Sequence, residues 1–134
     1  MQNKIELSKS NYKNYLPINT IAFSYANGGA QGEPGGVIIL DKEGKFFHFN
    51  YAEGDLKNEE IFEICPYLKE IESSKIEENF ERMNMGMGNT LFVSKSILPE
   101  VKEKTKDIKR PDQLFVQWKK ILQSIKNYIL FIIL

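Results

Sequence analysis

Short β-favouring runs dominate the first half of the chain. The runs IAFSY (residues 21–25) and VIIL (residues 37–40) are bounded by Gly, Asn and Asp, which is typical of two strands. A DKEG turn (residues 41–44) leads into the alternating segment FFHFNY (residues 46–51), so the second and third strands are predicted to form a hairpin. The run TLFV (residues 90–93) predicts a fourth strand.

Helical spacing begins at Asn58, the predicted N-cap, and is interrupted by Pro66. Either the helix ends near Ile64 and a new turn starts at Pro66, or one helix kinks there. Residues 73–82 predict a polar helix or connector, and residues 83–89 (MNMGMGN) predict a loop. The apolar positions that carry the helical pattern are Ile61, Ile64, Leu68 and Ile71.

Two further helices are predicted near the C-terminus. Ser96 can cap a helix that runs to about Lys106, and Asp112 can cap a long amphipathic C-terminal helix. The apolar side of that last helix consists of Phe115, Trp118, Ile121, Leu122, Ile125 and Ile129. The whole pattern predicts an α+β fold in which a small, mostly antiparallel sheet of about four strands packs against two to four helices.

Length and composition indicate one domain, spanning residues 1–134. A chain of this size with 42% hydrophobic residues can bury a single core. The only cysteine is Cys65, and the first ten residues contain no apolar segment, so we expect a reducing cytoplasm and no signal peptide. On the apolar side of its helix, Cys65 is predicted to be a buried small hydrophobe and not a nucleophile.

The longest apolar run extends from Tyr128 to Leu134 and is far shorter than the roughly 20 residues that cross a bilayer. We therefore expect no integral membrane association. The run can be buried as the last turns of the helix or as a final strand. Exposed, it would be an interface for a homo-oligomer, another partner or a membrane surface, and a truncated C-terminus is a further alternative.

Charge is balanced overall but segregated along the chain. The net charge is zero, and only two of the basic residues are arginines, so nucleic-acid binding is disfavoured. Residues 59–82 contain eight acidic and three basic residues, whereas residues 83–134 contain four acidic and nine basic residues. Either the two regions expose opposite charges that partly pair with one another, or one of them is a docking surface.

A glycine-rich segment, NGGAQGEPGG (residues 27–36), joins the first two predicted strands. It precedes a strand instead of a helix, lacks Lys, Ser and Thr, and contains the anionic Glu33, so nucleotide binding is disfavoured. The alternatives are a turned β connection and a loop that presents Gln31 and Glu33 to a partner.

The residues that could perform chemistry are few. His48 is the only histidine, and as a general base it would need an orienting carboxylate such as Glu53 or Asp55. The carboxylates between Glu53 and Glu63 lack the Asp-rich, glycine-centred spacing of a calcium site. The alternating methionines of MNMGMGN could suggest a copper(I) site, but such side chains more often fill a core or form a contact surface. The sequence therefore predicts no metal and no cofactor.

A non-catalytic protein-binding module ranks ahead of an enzyme. Within that class we expect an inhibitor or immunity-like protein of bacterial type, which binds a basic toxin or enzyme through its acidic surface. The expected binding residues are Glu59, Glu60, Glu63, Glu77, Glu78, Gln31 and Glu33. The alternatives are a small hydrolase or transferase that uses His48 with Glu53 or Asp55, and a homo-oligomeric structural protein.

Overall fold

The computed structural model describes residues 4–26, 36–50 and 54–133, with side chains described as far as Ile125. Its strands are β1 (Lys4–Glu6), β2 (Thr20–Ala26), β3 (Gly36–Asp41), β4 (Phe46–Asn50), β5 (Phe80–Asn84) and β6 (Asn89–Ser94). Its helices are α1 (Asn58–Ile64), α2 (Leu98–Thr105) and α3 (Pro111–Ile133), with 3-10 turns at Tyr12–Tyr15, Pro66–Glu70 and Lys75–Glu78.

The strands form one sheet in the order β1-β4-β3-β2-β6-β5. This confirms the α+β class, but the sheet differs from the predicted one of about four, mostly antiparallel strands: it has six strands and is mixed, because β1 pairs in parallel. β1 lies parallel to β4, with Ile5 opposite Phe47, whereas β2–β3, β2–β6, β3–β4 and β5–β6 pair in antiparallel fashion. The predicted hairpin is β3–β4, and it is confirmed.

Both faces of the sheet are buried. Successive side chains in a strand point to opposite faces, so Phe46 and Phe47 enter different cores. The first core includes Phe23, Val37, Ile39, Phe47, Phe49 and Phe92 from the strands, with Ile61, Ile64, Leu68 and Ile76 from α1 and the 3-10 turns. The second core includes Ala22, Leu40, Phe46, Leu91 and Val93 from the strands, with Val101, Leu114, Trp118, Leu122 and Ile125 from α2 and α3.

Helical boundaries follow local chemistry. α1 ends at Ile64 and a separate 3-10 turn begins at Pro66, which confirms the first of the two alternatives for that region. α3 runs to Ile133, so the C-terminal apolar run is helical as far as that residue. The side chains after Ile125 lie outside the described residues, so the burial of that run stays a prediction.

The sequence pattern did not predict β1 or β5. In the case of β5, residues 73–82 were predicted as a helix or connector, but Phe80 begins the strand, and Met83 belongs to it instead of to a loop. Only one turn within the stretch is helical, Lys75–Glu78. In β5 the charged pair Glu81 and Arg82 hides the alternation, because a strand at the sheet edge needs fewer apolar residues.

Because α3 packs on the second core, its buried residues should contribute to the free energy of unfolding. Leu122 is fully buried, so Leu122→Ala should lower the free energy of unfolding by about 2–5 kcal/mol through lost burial and the cavity left behind. Val116 lies on the same helix with 80% of its surface exposed, so Val116→Ala should change the free energy of unfolding by less than about 0.5 kcal/mol. Denaturant unfolding of both variants measures the difference, and equal losses would contradict the packing of α3.

Candidate functional site

Helix α1 supplies the first part of the predicted acidic surface. Ile61 and Ile64 are buried against the first core, so the opposite side of the helix faces solvent. Glu59 and Glu63, one helical turn apart, are exposed on it. The local fold thus directs two carboxylates outward as a consequence of burying two isoleucines.

Two of the predicted glutamates also have structural contacts. Glu60 Oε1 accepts a hydrogen bond from the Lys57 N–H at 2.6 Å, so Lys57 is the N-cap, and the predicted cap Asn58 is the first helical residue. The Tyr12 hydroxyl donates to Glu63 Oε1 at 3.3 Å. Burial and the Glu63 carboxylate raise the pKa of Tyr12, which keeps the hydroxyl protonated as a donor.

The 3-10 turn Lys75–Glu78 continues the acidic surface. Ile76 is fully buried in the first core, and Glu77 and Glu78 are exposed beside it. Glu77 Oε1 accepts a hydrogen bond from Arg82 Nε at 2.5 Å, an ion pair that offsets part of its charge. Glu78 therefore contributes more to the negative potential of this turn than Glu77 does.

Sequence reasoning left two further glutamates out of the site. Glu70 and Glu72 lie between α1 and the turn Lys75–Glu78, on the segment that covers the first core, and Glu72 is exposed. The charge count over residues 59–82 included them, which was the signal available. We define the acidic surface as Glu59, Glu60, Glu63, Glu70, Glu72, Glu77 and Glu78.

The acidic and basic regions lie on opposite faces of the sheet. The acidic surface belongs to segments that cover the first core, whereas α2, α3 and the connection between them, with eight basic and four acidic residues, cover the second core. Among the described ion pairs, Glu81 and Lys102 link the two regions, 3.4 Å apart. The described residues are consistent with the interpretation in which the two regions expose opposite charges that partly pair with one another, and the docking surface stays a prediction.

An open groove lies on the surface of α1. It has a volume of about 550 Å³ and is lined by Asn58, Glu59, Phe62, Glu63 and Lys69. Lys69 Nζ is 5.2 Å from the centre of the Phe62 ring, a cation–π arrangement. Lys69 thus occupies one face of the Phe62 ring in the same groove as the carboxylates of Glu59 and Glu63.

Three residues in the predicted sites are outside the described part of the chain. Gln31 and Glu33, expected to present the glycine-rich loop to a partner, are two of them, and Glu53, a proposed orienting carboxylate, is the third. Their roles stay predictions.

The structure places a different carboxylate beside His48. Glu6 Oε2 lies 2.5 Å from His48 Nδ1, whereas Asp55 Oδ2 accepts a hydrogen bond from the Lys9 N–H at 3.3 Å. His48 has 22% of its side chain exposed. His48 does not line the groove on α1.

Glu6 was missed because β1 was missed. The alternation of Lys4 and Glu6 with Ile5 and Leu7 is a period-two signal, but four residues are too few to distinguish a strand from chance. Its parallel register with β4 sets Glu6 opposite His48, 42 positions away in the sequence.

In the described part of the chain, no group of three or more His, Cys, Asp and Glu side chains could hold a metal ion. Of the methionines in MNMGMGN, Met85 is buried in the second core, Met83 packs against it, and Met87 has 64% of its surface exposed. The three side chains therefore do not share one environment.

No protein-family model, curated protein or solved structure matches this chain significantly. In the described part of the chain, no helix combines the length and hydrophobicity that crossing a membrane requires.

Cys65 is fully buried, and burial raises the pKa of its thiol to about 12. The native protein should therefore resist a thiol reagent such as DTNB at about pH 8, and full reaction should appear only on unfolding. Because the folded pKa exceeds the unfolded value, the contribution of the neutral thiol to stability should decline as the pH rises from about 9 towards 12. Rapid stoichiometric labelling of folded protein at about pH 8 would contradict this burial.

Proposed function

We propose that this chain is a non-catalytic protein-binding module that binds a basic protein through the acidic surface. The observation that carries the proposal is the separation of acidic and basic residues by the sheet. A cationic partner that approaches the acidic surface meets carboxylates that the C-terminal lysines do not neutralise.

Distance supports this independence of the two surfaces. Packed layers lie on the order of 10 Å apart, so surfaces on opposite sides of a sheet are separated by about 20 Å. The Debye length at physiological salt is about 8 Å. The basic residues on the far side of the sheet therefore reduce the negative potential of the acidic surface only weakly, although residues 59–82 and 83–134 carry opposite net charges of −5 and +5.

The carboxylates of the acidic surface differ in whether their charge is already engaged in a contact within the chain. Glu59, Glu72 and Glu78 are exposed and have no ion pair or hydrogen bond within the described residues. Glu60 and Glu77 already have the intramolecular contacts described above. The first three are consequently the carboxylates whose full charge is available for binding.

Within this class we propose an inhibitor or immunity-like role, in which the acidic surface covers a basic cleft of a toxin or enzyme. Electrostatic complementarity of that kind mainly accelerates association and selects the partner. We propose a bacterial cytoplasm as its location, where the free thiol of Cys65 would stay reduced.

The test is a pull-down with the tagged chain from its source cells, compared with the triple variant Glu59→Lys, Glu72→Lys and Glu78→Lys. The wild type should capture a stoichiometric basic protein and the variant should lose it. The matched control reverses Glu43, Glu103 and Asp107, which lie outside the acidic surface, and should retain the partner.

Kinetics with the captured protein give a second measurement. Because steering depends on unscreened charge, the association rate should fall at least about tenfold between about 0.05 and 0.5 M salt. Equal capture by the acidic-surface variant and the control, with circular dichroism showing both folded, would overturn the proposal.

A further inference from the structure

β5 is the last strand at one edge of the sheet, with β6 on its inner side. The backbone oxygen of Asn79 accepts from Lys95 N–H at 2.9 Å, and Met85 N–H donates to the oxygen of Asn89 at 3.0 Å. In an antiparallel ladder, residues whose N–H and C=O groups bond to the neighbouring strand alternate with residues whose groups point away from it. Because Asn79 and Met85 bond towards β6, the odd-numbered residues of this strand bond to β6. The even-numbered residues of the strand, Phe80, Arg82 and Asn84, therefore direct their N–H and C=O groups outward.

These outward groups form an unused hydrogen-bonding edge. In the part of the chain that the structure describes, no backbone or side-chain group hydrogen-bonds to the N–H or C=O of Phe80, Arg82 or Asn84. An exposed edge of this kind is a template for another strand unless a neighbouring segment covers it.

A groove of about 400 Å³ lies along this edge, between β5 and the connection from α2 to α3. Its apolar lining includes Met83, Ile108 and Leu114. Its charged lining consists of the cations Arg82, Lys109 and Arg110 and the anion Glu81. Arg82 pairs with Glu77, Arg110 with Asp112 and Glu81 with Lys102, so Lys109 is the lining cation that has no ion pair among the described residues. The groove thus combines a hydrogen-bonding edge, an apolar wall and one unpaired cation.

We propose that the β5 edge and this groove bind an extended acidic peptide segment of a partner protein by adding it to the sheet as a further strand. In strand addition, main-chain hydrogen bonds supply affinity and the alternate side chains supply specificity. Here alternate apolar residues would contact Ile108 and Leu114, while acidic residues would lie near Lys109 and Arg110.

Charge selects this occupant over a second copy of the chain. Pairing of two β5 edges would bring the Lys109 and Arg110 of both copies to one interface, where like charges repel. An acidic segment instead meets complementary charge. The groove shares no lining residue with the acidic surface, which it meets at the Arg82–Glu77 ion pair, and the inference does not depend on the function proposed for that surface.

The test begins with a displayed library of random peptides selected on the immobilised full chain. The enriched peptides should be acidic, with alternating apolar residues. Residue-resolved amide exchange with one synthetic selected peptide should show the Arg82 and Asn84 amides slowed about tenfold or more, while the Glu81 and Met83 amides, already bonded to β6, stay unchanged. This alternation distinguishes strand addition from any other contact.

Two charge variants complete the test. Lys109→Glu with Arg110→Glu should weaken peptide binding about tenfold or more, whereas Lys104→Glu with Lys120→Glu, on residues that do not line this groove, should leave it unchanged. The proposal is overturned if no peptide is enriched, if enriched peptides are basic, if protection appears at other amides, or if sedimentation shows β5-mediated dimers that exclude the peptide.

Discussion

The need to cover both faces of the sheet determines the rest of the structure. β3 places Val37 and Ile39 in the first core and Leu40 in the second, and all three are fully buried. A central strand of this kind requires apolar cover on each side. The chain provides that cover with α1 and the 3-10 turns on one face and with α2 and α3 on the other, and the charges of those segments follow their positions.

Local patterns were sufficient for the elements that are strongly apolar or strongly periodic. β2, β3, β4 and β6 were predicted because each contains a continuous or alternating run of large β-favouring residues. β1 and β5 were not, for different reasons. β1 has three residues and is held by a partner distant in sequence, as in the pairing of Ile5 with Phe47, so its formation depends on that non-local pairing. β5 forms a local hairpin with β6, but the charged residues Glu81 and Arg82 in the middle of the strand conceal its pattern.

The candidate site was predictable in its residue types and not in its arrangement. The excess of glutamate over residues 59–82 is visible in the sequence, but only the sheet topology shows that α3 lies on the other face. The same holds for His48: its near neighbours in sequence suggested Glu53 or Asp55 as the orienting carboxylate, whereas the parallel pairing of β1 brings Glu6 to it. Residues adjacent in space come from pairings that local reasoning does not supply.

Separation of charge by the sheet is the central claim, and nuclear magnetic resonance with charged nitroxide probes tests it most directly. The ratio of amide relaxation caused by a cationic and an anionic probe reports the potential near each residue. We expect a negative potential along α1 and Lys75–Glu78 and a positive potential over residues 106–120, which include the connection from α2 to α3 and the first part of α3. Potentials of the same sign on both faces, or close to zero on both, would contradict the account.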